Sequence, residues 1–511
     1  MKKLVLFLVL SCSSLQFWSQ TTVIDKIVSF RLKDSGAMYD QNNNVDGYFF
    51  FYEVDKLHKG QREYAIQILD QNLNIVATKS FVDDNNTILI SSSFNNKEIA
   101  FVFLNQKDKK FRIITYNEIG EVSKDQTYEI KKKELNWFAQ FAAMGYTELL
   151  VPVDDKGFII TTVSDTKGIG YDLRFLPSTT EGKAWEYNTP ETDSNILSLN
   201  PIQSNELYLV ALEMSKKSRM TTKTDISLVV YDVDSGNQLF KKLYSREKNP
   251  RLITNSFIEE NGNIVVLGEY FKDGDNILND KSLGLFIEVL DNKGNLVSDK
   301  TISWENKLFQ KLKESNEDTK NRSLVYFHDI IKSKTGDYYA VGEMYRRTAS
   351  AAGIAVAILS KGQSGNITQL SITDAVVYKF DKDFNFVNLD VFKKGKSRAQ
   401  SPIELGSPQL NAHLLKAMGA FDFINIQNDV ENDRFYANFI DYERLDSEDD
   451  KWAFVSVIQN EGKLTTDKIY IEKKKRYATL VLPGKVGHVL MLDYNKKEKK
   501  IELHLEKLNI N

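Results

Sequence analysis

The sequence predicts an all-β protein built as a β-propeller, with seven blades as the main count and eight as the alternative. The stretch GNIVVLGEYF at residues 262–271 has a near copy, GDYYAVGEMY, at residues 336–345. The chain also contains 30 Phe and 23 Tyr but only 8 Pro, and aromatic residues favour strands because they pack well on a half-buried pleated surface. A recurring all-strand unit that cannot bury both its faces alone is typical of a propeller blade.

The first recurring element is a polar turn followed by a nearly continuous apolar strand. Uninterrupted apolar runs of this length indicate strands that are covered on both faces. Besides the two copies above, the element occurs at residues 96–106, 156–165, 205–215 and 433–442.

The second recurring element is a hairpin with a polar tip, because Asp, Asn and Gly tolerate the backbone angles of tight turns. We expect Asp70, Asp291 and Asp381 to close Asx-type turns rather than to act in catalysis. The hairpins lie at residues 64–81, 111–125, 171–187, 228–242, 285–300, 376–392 and 454–468. With about 70 residues set aside as insertions, units of roughly 50 to 60 residues give seven or eight blades.

Ring closure is predicted between the two ends of the chain. The segment at residues 487–510 is expected to complete a blade begun by GYFFFYEV at residues 47–54. The alternative fold is a series of tandem β-sandwich domains. The sequence has no obvious Pro-, Ser- or Gly-rich linker, which favours the ring over separate domains.

Four stretches interrupt the strand pattern and are predicted to be insertions with short helices. Ser303 and Ser407 are candidate N-caps, and Pro408 would occupy the first turn of a helix that ends at Gly419. Residues 348–370 are small and apolar, typical of a helix or hairpin packed on the ring, or else of a plug, lid or partner-binding element. The insertions are placed near residues 131–145, 303–316, 346–374 and 401–420.

The N-terminus has the pattern of a secretory signal peptide, with two lysines before an unbroken apolar run. We predict a signal peptide at residues 1–19, cleavage between Ser19 and Gln20, and a single propeller-like domain at residues 20–511. The alternative is lipoprotein processing at Cys12, which would add a lipid anchor. No later apolar run is long enough for a transmembrane helix.

Charge and cysteine content exclude several kinds of chemistry. Without Lys2 and Lys3, 65 basic residues face 70 acidic ones, a net charge of −5, whereas a nucleic-acid-binding domain would need a basic face. Cys12 is the only cysteine. The mature chain therefore has no disulfide, no thiol nucleophile and no cysteine metal ligand.

Known catalytic and ligand-binding motifs are lacking, and we predict no catalytic residue, no cofactor and no metal ligand. There is no G-x-S-x-G motif, and the chain has five His. His328 is followed by Asp329, a pair that could orient an imidazole ring. Asp273, Asp275 and Asp280 lack the Gly and Glu of an EF-hand and are predicted to form a surface loop. Candidate aromatic residues for stacking on a sugar, which could equally be buried in the core, are Trp137, Trp185, Trp304 and Trp452.

The sequence resembles an uncharacterised family of exported Bacteroidetes proteins. The resemblance rests on segments such as GYFFFYEVDK, LDQNLNIV, YFHDIIKSKTGDYYAVGEMYRR and SPQLNAHLLKAMGAFDF, and it covers nearly the whole mature chain. It implies export in a Gram-negative cell, but it provides no activity and no functional residues. The C-terminal LHLEKLNIN does not resemble the sorting domain of that phylum, which favours the periplasm or an outer-membrane-associated location.

The function expected from these observations is that of a non-catalytic binding or scaffold protein of the cell envelope. Its partner would be an envelope protein or a glycan, bound by residues 348–370 and 407–419. The alternative is a carbohydrate-active enzyme or glycan-binding propeller, with carboxylates at the mouth of the central channel. A purely structural module is a third possibility, and the sequence does not define the oligomeric state.

Overall fold

Eight antiparallel sheets form a β-propeller. The computed structural model describes residues 20–130, 135, 149–163, 170–179, 182–189, 196–217, 224–310, 323–350, 367–403, 406–443, 451–472 and 476–509. Each blade is an antiparallel sheet whose strands follow one another in the chain, except in the last blade. Among the described residues, no helix has the length and apolarity needed to cross a membrane.

The strands of the first four blades have the following bounds. Blade 1 contains β2 (Ser29–Tyr39), β3 (Val45–Lys56), β4 (Gln61–Asp70) and β5 (Ile75–Asp84). Blade 2 contains β6 (Thr87–Phe94), β7 (Glu98–Asn105), β8 (Lys110–Asn117) and β9 (Val122–Glu129). Blade 3 contains β10 (Leu150–Val153), β11 (Gly157–Val163), β12 (Tyr171–Pro177) and β13 (Trp185–Asn188). Blade 4 contains β14 (Ile196–Ser204), β15 (Tyr208–Lys216), β16 (Asp225–Asp232) and β17 (Gln238–Leu243).

The remaining blades include one five-stranded sheet and one sheet that joins both ends of the chain. Blade 5 contains β18 (Arg251–Ile258), β19 (Ile264–Tyr270), β20 (Gly284–Leu290) and β21 (Leu296–Ser303). Blade 6 contains β22 (Leu324–Lys332), β23 (Tyr338–Ala349), β24 (Thr368–Phe380), β25 (Phe386–Phe392) and β26 (Ser397–Gln400). Blade 7 contains β27 (Phe423–Asp429), β28 (Arg434–Glu443), β29 (Lys451–Asn460) and β30 (Lys463–Ile471). Blade 8 contains β31 (Ala478–Pro483), β32 (His488–Asn495), β33 (Lys500–Lys507) and β1 (Thr21–Ile24).

The first strands of the blades line the central axis and close the ring. Each of them contacts the first strands of both neighbouring blades, and β31 of blade 8 contacts β2 of blade 1. The predicted propeller is therefore confirmed, and the tandem β-sandwich alternative is wrong.

The preferred count of seven blades is wrong, and the alternative of eight is confirmed. The hairpins recognised in the sequence are the third and fourth strands of blades 1 to 7. Blade 8 has no such hairpin, because its outermost strand, β1, comes from the other end of the chain and pairs with β33. The segment at residues 47–54 is also not the closing strand, since it belongs to β3 of blade 1.

The apolar second strands alternate their side chains between two neighbouring blades. On β7, Phe101 and Phe103 pack against blade 1, whereas Ala100, Val102 and Leu104 pack against blade 3. Successive side chains of a strand point to opposite faces of the sheet. A strand covered on both faces must therefore be apolar at every position, which explains the continuous runs in the sequence.

The repeated Gly-Glu of blades 5 and 6 lies where the second strand passes a bulge in the first strand. The residue pairing skips one residue of the first strand, Thr254 in blade 5 and His328 in blade 6. A Cβ atom on Gly342 would come within 2.5 Å of the Tyr326 carbonyl oxygen, and one on Gly268 would come even closer to the Leu252 carbonyl oxygen. The repeat therefore marks a close backbone approach.

The predicted hairpin tips are confirmed. Asp70 Oδ1 accepts hydrogen bonds of 2.8 Å from the backbone N–H groups of Asn72 and Asn74, and the Asn74 side chain donates to Asp70 Oδ2. The same three hydrogen bonds occur at Asp291 and Asp381. These aspartates therefore serve the turns.

The insertions are described only in part. The helix predicted after Ser407 is confirmed as α1 (Pro408–Ala417), and the Ser407 side chain accepts a hydrogen bond from the Leu410 N–H. Ser303 precedes a short π-helical turn at Trp304–Leu308, but its side chain makes no capping hydrogen bond. The predicted helix at 131–145 lies outside the described residues, apart from residue 135. The same holds for residues 311–316, 351–366 and 404–405.

The strand directions define two faces of the ring. Every first strand ends on what we call the mouth face, together with the tips of the hairpins between third and fourth strands. The other face, here called the far face, carries the connections from second to third strands and from one blade to the next. All four predicted insertions begin and end at strand ends on the far face.

Ring closure can be tested at β1, where neighbouring side chains differ in burial. Ile24 is 2% exposed in the contact between blades 8 and 1, whereas Val23 is 50% exposed. Ile24→Asp should lower the free energy of unfolding by about 3 kcal/mol or more, because it buries an unpaired charge. Val23→Asp, the control on the same strand, should change it by less than about 1 kcal/mol. Equal losses in urea denaturation would contradict closure through β1.

Candidate functional site

The central channel opens on the mouth face into a cavity of about 860 Å³. Its walls are the ends of the first strands of blades 1 to 5 and of blade 8, together with the turns that follow some of them. A cavity where several blades converge is a usual position for a ligand site, since each blade contributes a side chain without altering the framework. The cavity is therefore the candidate functional site.

The mouth of this cavity is acidic. No Lys, Arg or His is among the described residues that line it. Five carboxylates do so, and each follows the end of a first strand: Asp40, Asp154, Glu206, Glu259 and Glu260. We call these five residues the acidic mouth.

Hydrogen bonds hold two of the five carboxylates in place. Asp40 Oδ1 accepts 2.8 Å hydrogen bonds from the N–H groups of Asn42 and Asn44. Glu259 accepts a 2.7 Å hydrogen bond from the Tyr338 hydroxyl of the next blade. The position of Asp40 is therefore fixed by its own turn, and that of Glu259 by a contact between neighbouring blades.

The carboxylates influence each other electrostatically. Burial, followed by the charges of Asp155, Glu206 and Asp40, raises the pKa of Asp154 to about 6. Like charges in a partly buried site disfavour ionisation, because each carboxylate makes the next harder to charge. A cation placed among them would remove this repulsion.

The aromatic residues of the cavity are not the tryptophans considered from the sequence. Tyr39, Phe49 and Phe94 are among its lining residues. Trp185 and Trp304 are buried in the core, where their indole N–H groups donate to the Val233 carbonyl and the Ser282 hydroxyl. Trp452 is 40% exposed on β29, away from the cavity, and Trp137 lies outside the described residues.

Sequence reasoning did not single out any residue of the acidic mouth. A pattern was nevertheless present, because an acidic residue follows the first strand in blades 1, 3, 4 and 5, shortly before the apolar second strand. Turn residues are commonly acidic for conformational reasons. The pattern becomes informative only when the first strands are known to converge on one axis.

His328 lies in a second polar cluster, buried between blades 6 and 7. His328 Nε2 lies 3.0 Å from Glu343 Oε2, and Lys394 Nζ lies 2.9 Å from Glu343 Oε1. Lys394 also forms an ion pair with Asp422. The imidazole stacks on the Phe423 ring at a centroid distance of 4.4 Å. The interblade cluster, as we call His328, Glu343, Lys394 and Asp422, therefore joins two blades through charge and ring contacts.

Inside the cluster, the Lys394 ammonium lies between two carboxylates, those of Glu343 and Asp422. Burial and the charge of Lys416 lower the pKa of His328 to about 4, so the imidazole is neutral near pH 7. Burial opposes ionisation of Glu343, but His328 and Lys394 outweigh it, and the pKa of Glu343 is lowered. Since the side chains of His328 and Glu343 are fully buried, the arrangement is suited to holding blades together rather than to contacting a substrate.

The proposed orientation of His328 by Asp329 is wrong. Asp329 Oδ1 instead accepts a hydrogen bond from the Ile330 N–H, and Glu343 of the neighbouring strand contacts the imidazole. Consecutive residues of a regular strand point to opposite faces, so the next residue in the chain is a poor partner for a strand side chain. The residue that contacts His328, Glu343, is the glutamate of the repeated Gly-Glu pair in the sequence.

The aspartate-rich loop at residues 273–280 makes turn hydrogen bonds. Asp273 accepts from the Asn249 N–H, Asp275 from the Lys272 N–H and Asp280 from the Asn276 N–H. No group of three or more His, Cys, Asp or Glu side chains within the described ranges could hold a metal ion. Gln20 is described, whereas Cys12 and Ser19 lie outside the described residues, so cleavage and lipidation stay predictions.

Asp154 should make stability depend on pH. Its pKa rises from 3.8 to about 6 on folding, so the folded state binds the proton more tightly and loses stability as pH rises through that interval. Asp154→Asn should leave the melting temperature unchanged below about pH 4 and raise stability by about 1 kcal/mol above pH 6. Asp108→Asn, in an exposed far-face turn, is the control, and an Asp154→Asn effect independent of pH would contradict this account.

Lys394 should be essential for the contact between blades 6 and 7. Lys394→Met leaves the buried Glu343 carboxylate without its cation, which should cost about 3 to 5 kcal/mol of unfolding free energy. The neighbouring Lys393 has a side chain 70% exposed and lies 3.9 Å from Asp374, so Lys393→Met should cost less than about 1 kcal/mol. Chemical denaturation measures both variants, and similar losses would refute the role of the cluster.

Comparison with solved structures finds distant similarities. Prolyl oligopeptidase B from Galerina marginata has a TM-score of 0.37 at 10% identity, over 94% of this chain and 56% of that one. The S. cerevisiae core factor has a TM-score of 0.31 at 9% identity, over 99% of this chain and 64% of that one. This chain thus spans little more than half the length of the oligopeptidase. At these TM-scores, neither similarity bears on activity.

Comparison with curated proteins finds no match. The resemblance to an uncharacterised family is confirmed at the level of the family, while export and bacterial phylum stay predictions. The model of the family of unknown function DUF6770 matches residues 1–509, and the chain therefore belongs to this family.

Proposed function

We propose that this protein is a non-catalytic binding protein of a bacterial cell envelope, and that its acidic mouth captures basic groups of a partner molecule. The observation that carries the proposal is the convergence of five carboxylates on one cavity whose described lining contains no basic side chain. Lysine or arginine groups of a protein partner have the complementary charge.

The raised pKa of Asp154 supports a cationic ligand. Burial is the main cause of this pKa of about 6, and the neighbouring carboxylates, which raise it further, would attract a cation to the same place. An ammonium or guanidinium group entering the cavity would lower the pKa of Asp154 again, because its positive charge offsets the repulsion among the carboxylates. Binding should therefore be stronger at pH 7.5 than at pH 5, where Asp154 is mostly protonated.

Export and an envelope location belong to the proposal and rest on the sequence pattern of residues 1–19. The insertions at residues 348–370 and 407–419, predicted to bind a partner, begin and end on the far face, opposite the acidic mouth. The proposal therefore assigns the first ligand contact to the mouth face, and binding by the insertions stays a separate prediction.

Oligolysine peptide provides a direct probe for the acidic mouth. Isothermal titration at low salt should detect binding to residues 20–511 that weakens as salt is added. The variant Asp154→Asn/Glu206→Gln/Glu260→Gln should weaken binding by at least about tenfold. The matched control Asp108→Asn/Glu129→Gln/Glu472→Gln removes three exposed far-face carboxylates and should change binding by less than about twofold.

Two outcomes would refute this assignment. The proposal fails if the control variant loses as much affinity as the mouth variant, because the peptide would then be responding only to net charge. It also fails if neutral oligosaccharides bind to or are cleaved at the mouth while oligolysine does not. That result would favour the carbohydrate-active alternative, in which Asp154 would be the protonated carboxyl group.

A further inference from the structure

Blade 6 extends beyond the ring on the far face. The first strand, β22, starts at Leu324, which pairs with Tyr345 of β23. Beyond this point β23 stays paired with β24 as far as Ala349, and β26 pairs with the same part of β24. This three-stranded extension has no counterpart among the described strands of the other blades. It brings together residues that are 52 positions apart in the sequence, Arg346 and Arg398.

The extension aligns two arginines across its strands. Arg346 of β23 pairs in register with Ser371 of β24, and Ser371 pairs with Arg398 of β26. Residues directly opposite each other in antiparallel strands project from the same face of the sheet. Arg346 and Arg398 therefore flank Ser371 on one face. Lys396 comes immediately before β26, and we call Arg346, Lys396 and Arg398 the cation cluster.

Among the described residues, no carboxylate forms an ion pair with the cation cluster. Burial, followed by the charges of Arg346 and Arg398, lowers the pKa of Lys396, so the three cations lie close enough to repel one another. Within the described part of the chain, none of the three forms an ion pair. In addition, Arg346 Nε is buried without a hydrogen-bond partner.

Within the cluster, Arg346 lines a cavity of about 890 Å³ at the open edge of β23. Arg346, Arg347 and Lys281 line it, and among its described lining residues the only acidic one is Glu305. The lining also contains Ser407 and Pro408 at the N-terminus of α1. Arg347 donates a hydrogen bond to the Gly406 carbonyl, which ties the extension to the start of α1. The cavity thus combines room for a ligand with positive charge.

We propose that the far face binds a phosphate group, held by Arg346, Lys396 and Arg398 beside this cavity. Two guanidinium groups can each donate two parallel hydrogen bonds to an oxyanion, and the ammonium group adds a third cation. A dianion neutralises such a cluster better than a single carboxylate does. The phosphate could belong to a soluble phosphomonoester or to a lipid headgroup, since both present the same oxyanion.

The test compares phosphate sources on the protein comprising residues 20–511. Inorganic phosphate, glycerol phosphate and vesicles containing phosphatidic acid are titrated at constant ionic strength. Arg346→Gln/Lys396→Gln/Arg398→Gln should weaken binding by at least about tenfold, and Arg346→Lys should weaken it less than Arg346→Gln does. The variant should fold, because no ion pair is removed, and circular dichroism melting verifies this.

A charge-matched control separates a site from general attraction. Lys293→Gln/Lys382→Gln/Lys463→Gln removes three exposed lysines of hairpin tips on the mouth face and should leave phosphate binding unchanged. Binding of the soluble phosphates alone identifies a soluble ligand, and binding of vesicles as well identifies a lipid source; both support the site. Absence of binding by the unaltered protein, or an equal loss in the control, overturns the proposal. Neither result affects the acidic mouth, which lies on the other face.

Discussion

The mutual covering of neighbouring blades is the constraint on which the rest of this structure depends. Each sheet has two apolar faces, and the core consists of clusters that lie between adjacent blades, such as Phe101 and Phe103 against blade 1. No blade can be stable alone, since one uncovered face would expose a row of large apolar side chains. A ring solves the problem only if it closes, and closure depends on β1, which places Ile24 in the contact between the first and last blades.

Several charged groups enter these contacts together with partners. Arg251 is 2% exposed, yet it pairs with Glu288 and Asp299 and lies over the Phe286 ring. The interblade cluster around Glu343 follows the same rule between blades 6 and 7. A buried charge costs several kcal/mol unless an opposite charge and hydrogen bonds accompany it. These networks therefore constrain which blade surfaces can meet, and they are poor candidates for ligand contact because their central groups, Arg251, Glu288 and Glu343, are buried.

The unbalanced charges lie instead at the two faces of the ring. Carboxylates converge on the mouth face, whereas Arg346, Lys396 and Arg398 gather on the far face. The fold itself carries no information about function, because propellers support many activities, and the family to which the chain belongs is one of unknown function. The site residues are therefore the stronger basis for a functional hypothesis, and the opposite charge of the two faces gives each proposal its own ligand chemistry.

The sequence by itself determined the all-β class, the propeller architecture, the hairpin tips at Asp70, Asp291 and Asp381, and the helix after Ser407. These features depend on residues near one another in the chain, where strand periodicity and turn chemistry act. Only the tertiary structure decided the eighth blade, the partner of His328, the acidic mouth and the cation cluster. The eighth blade, the acidic mouth and the cation cluster join residues far apart in sequence: β1 with β33, Asp40 with Glu260, Arg346 with Arg398. Strand pairing between distant segments and packing around the axis bring these residues together, and no local pattern encodes either.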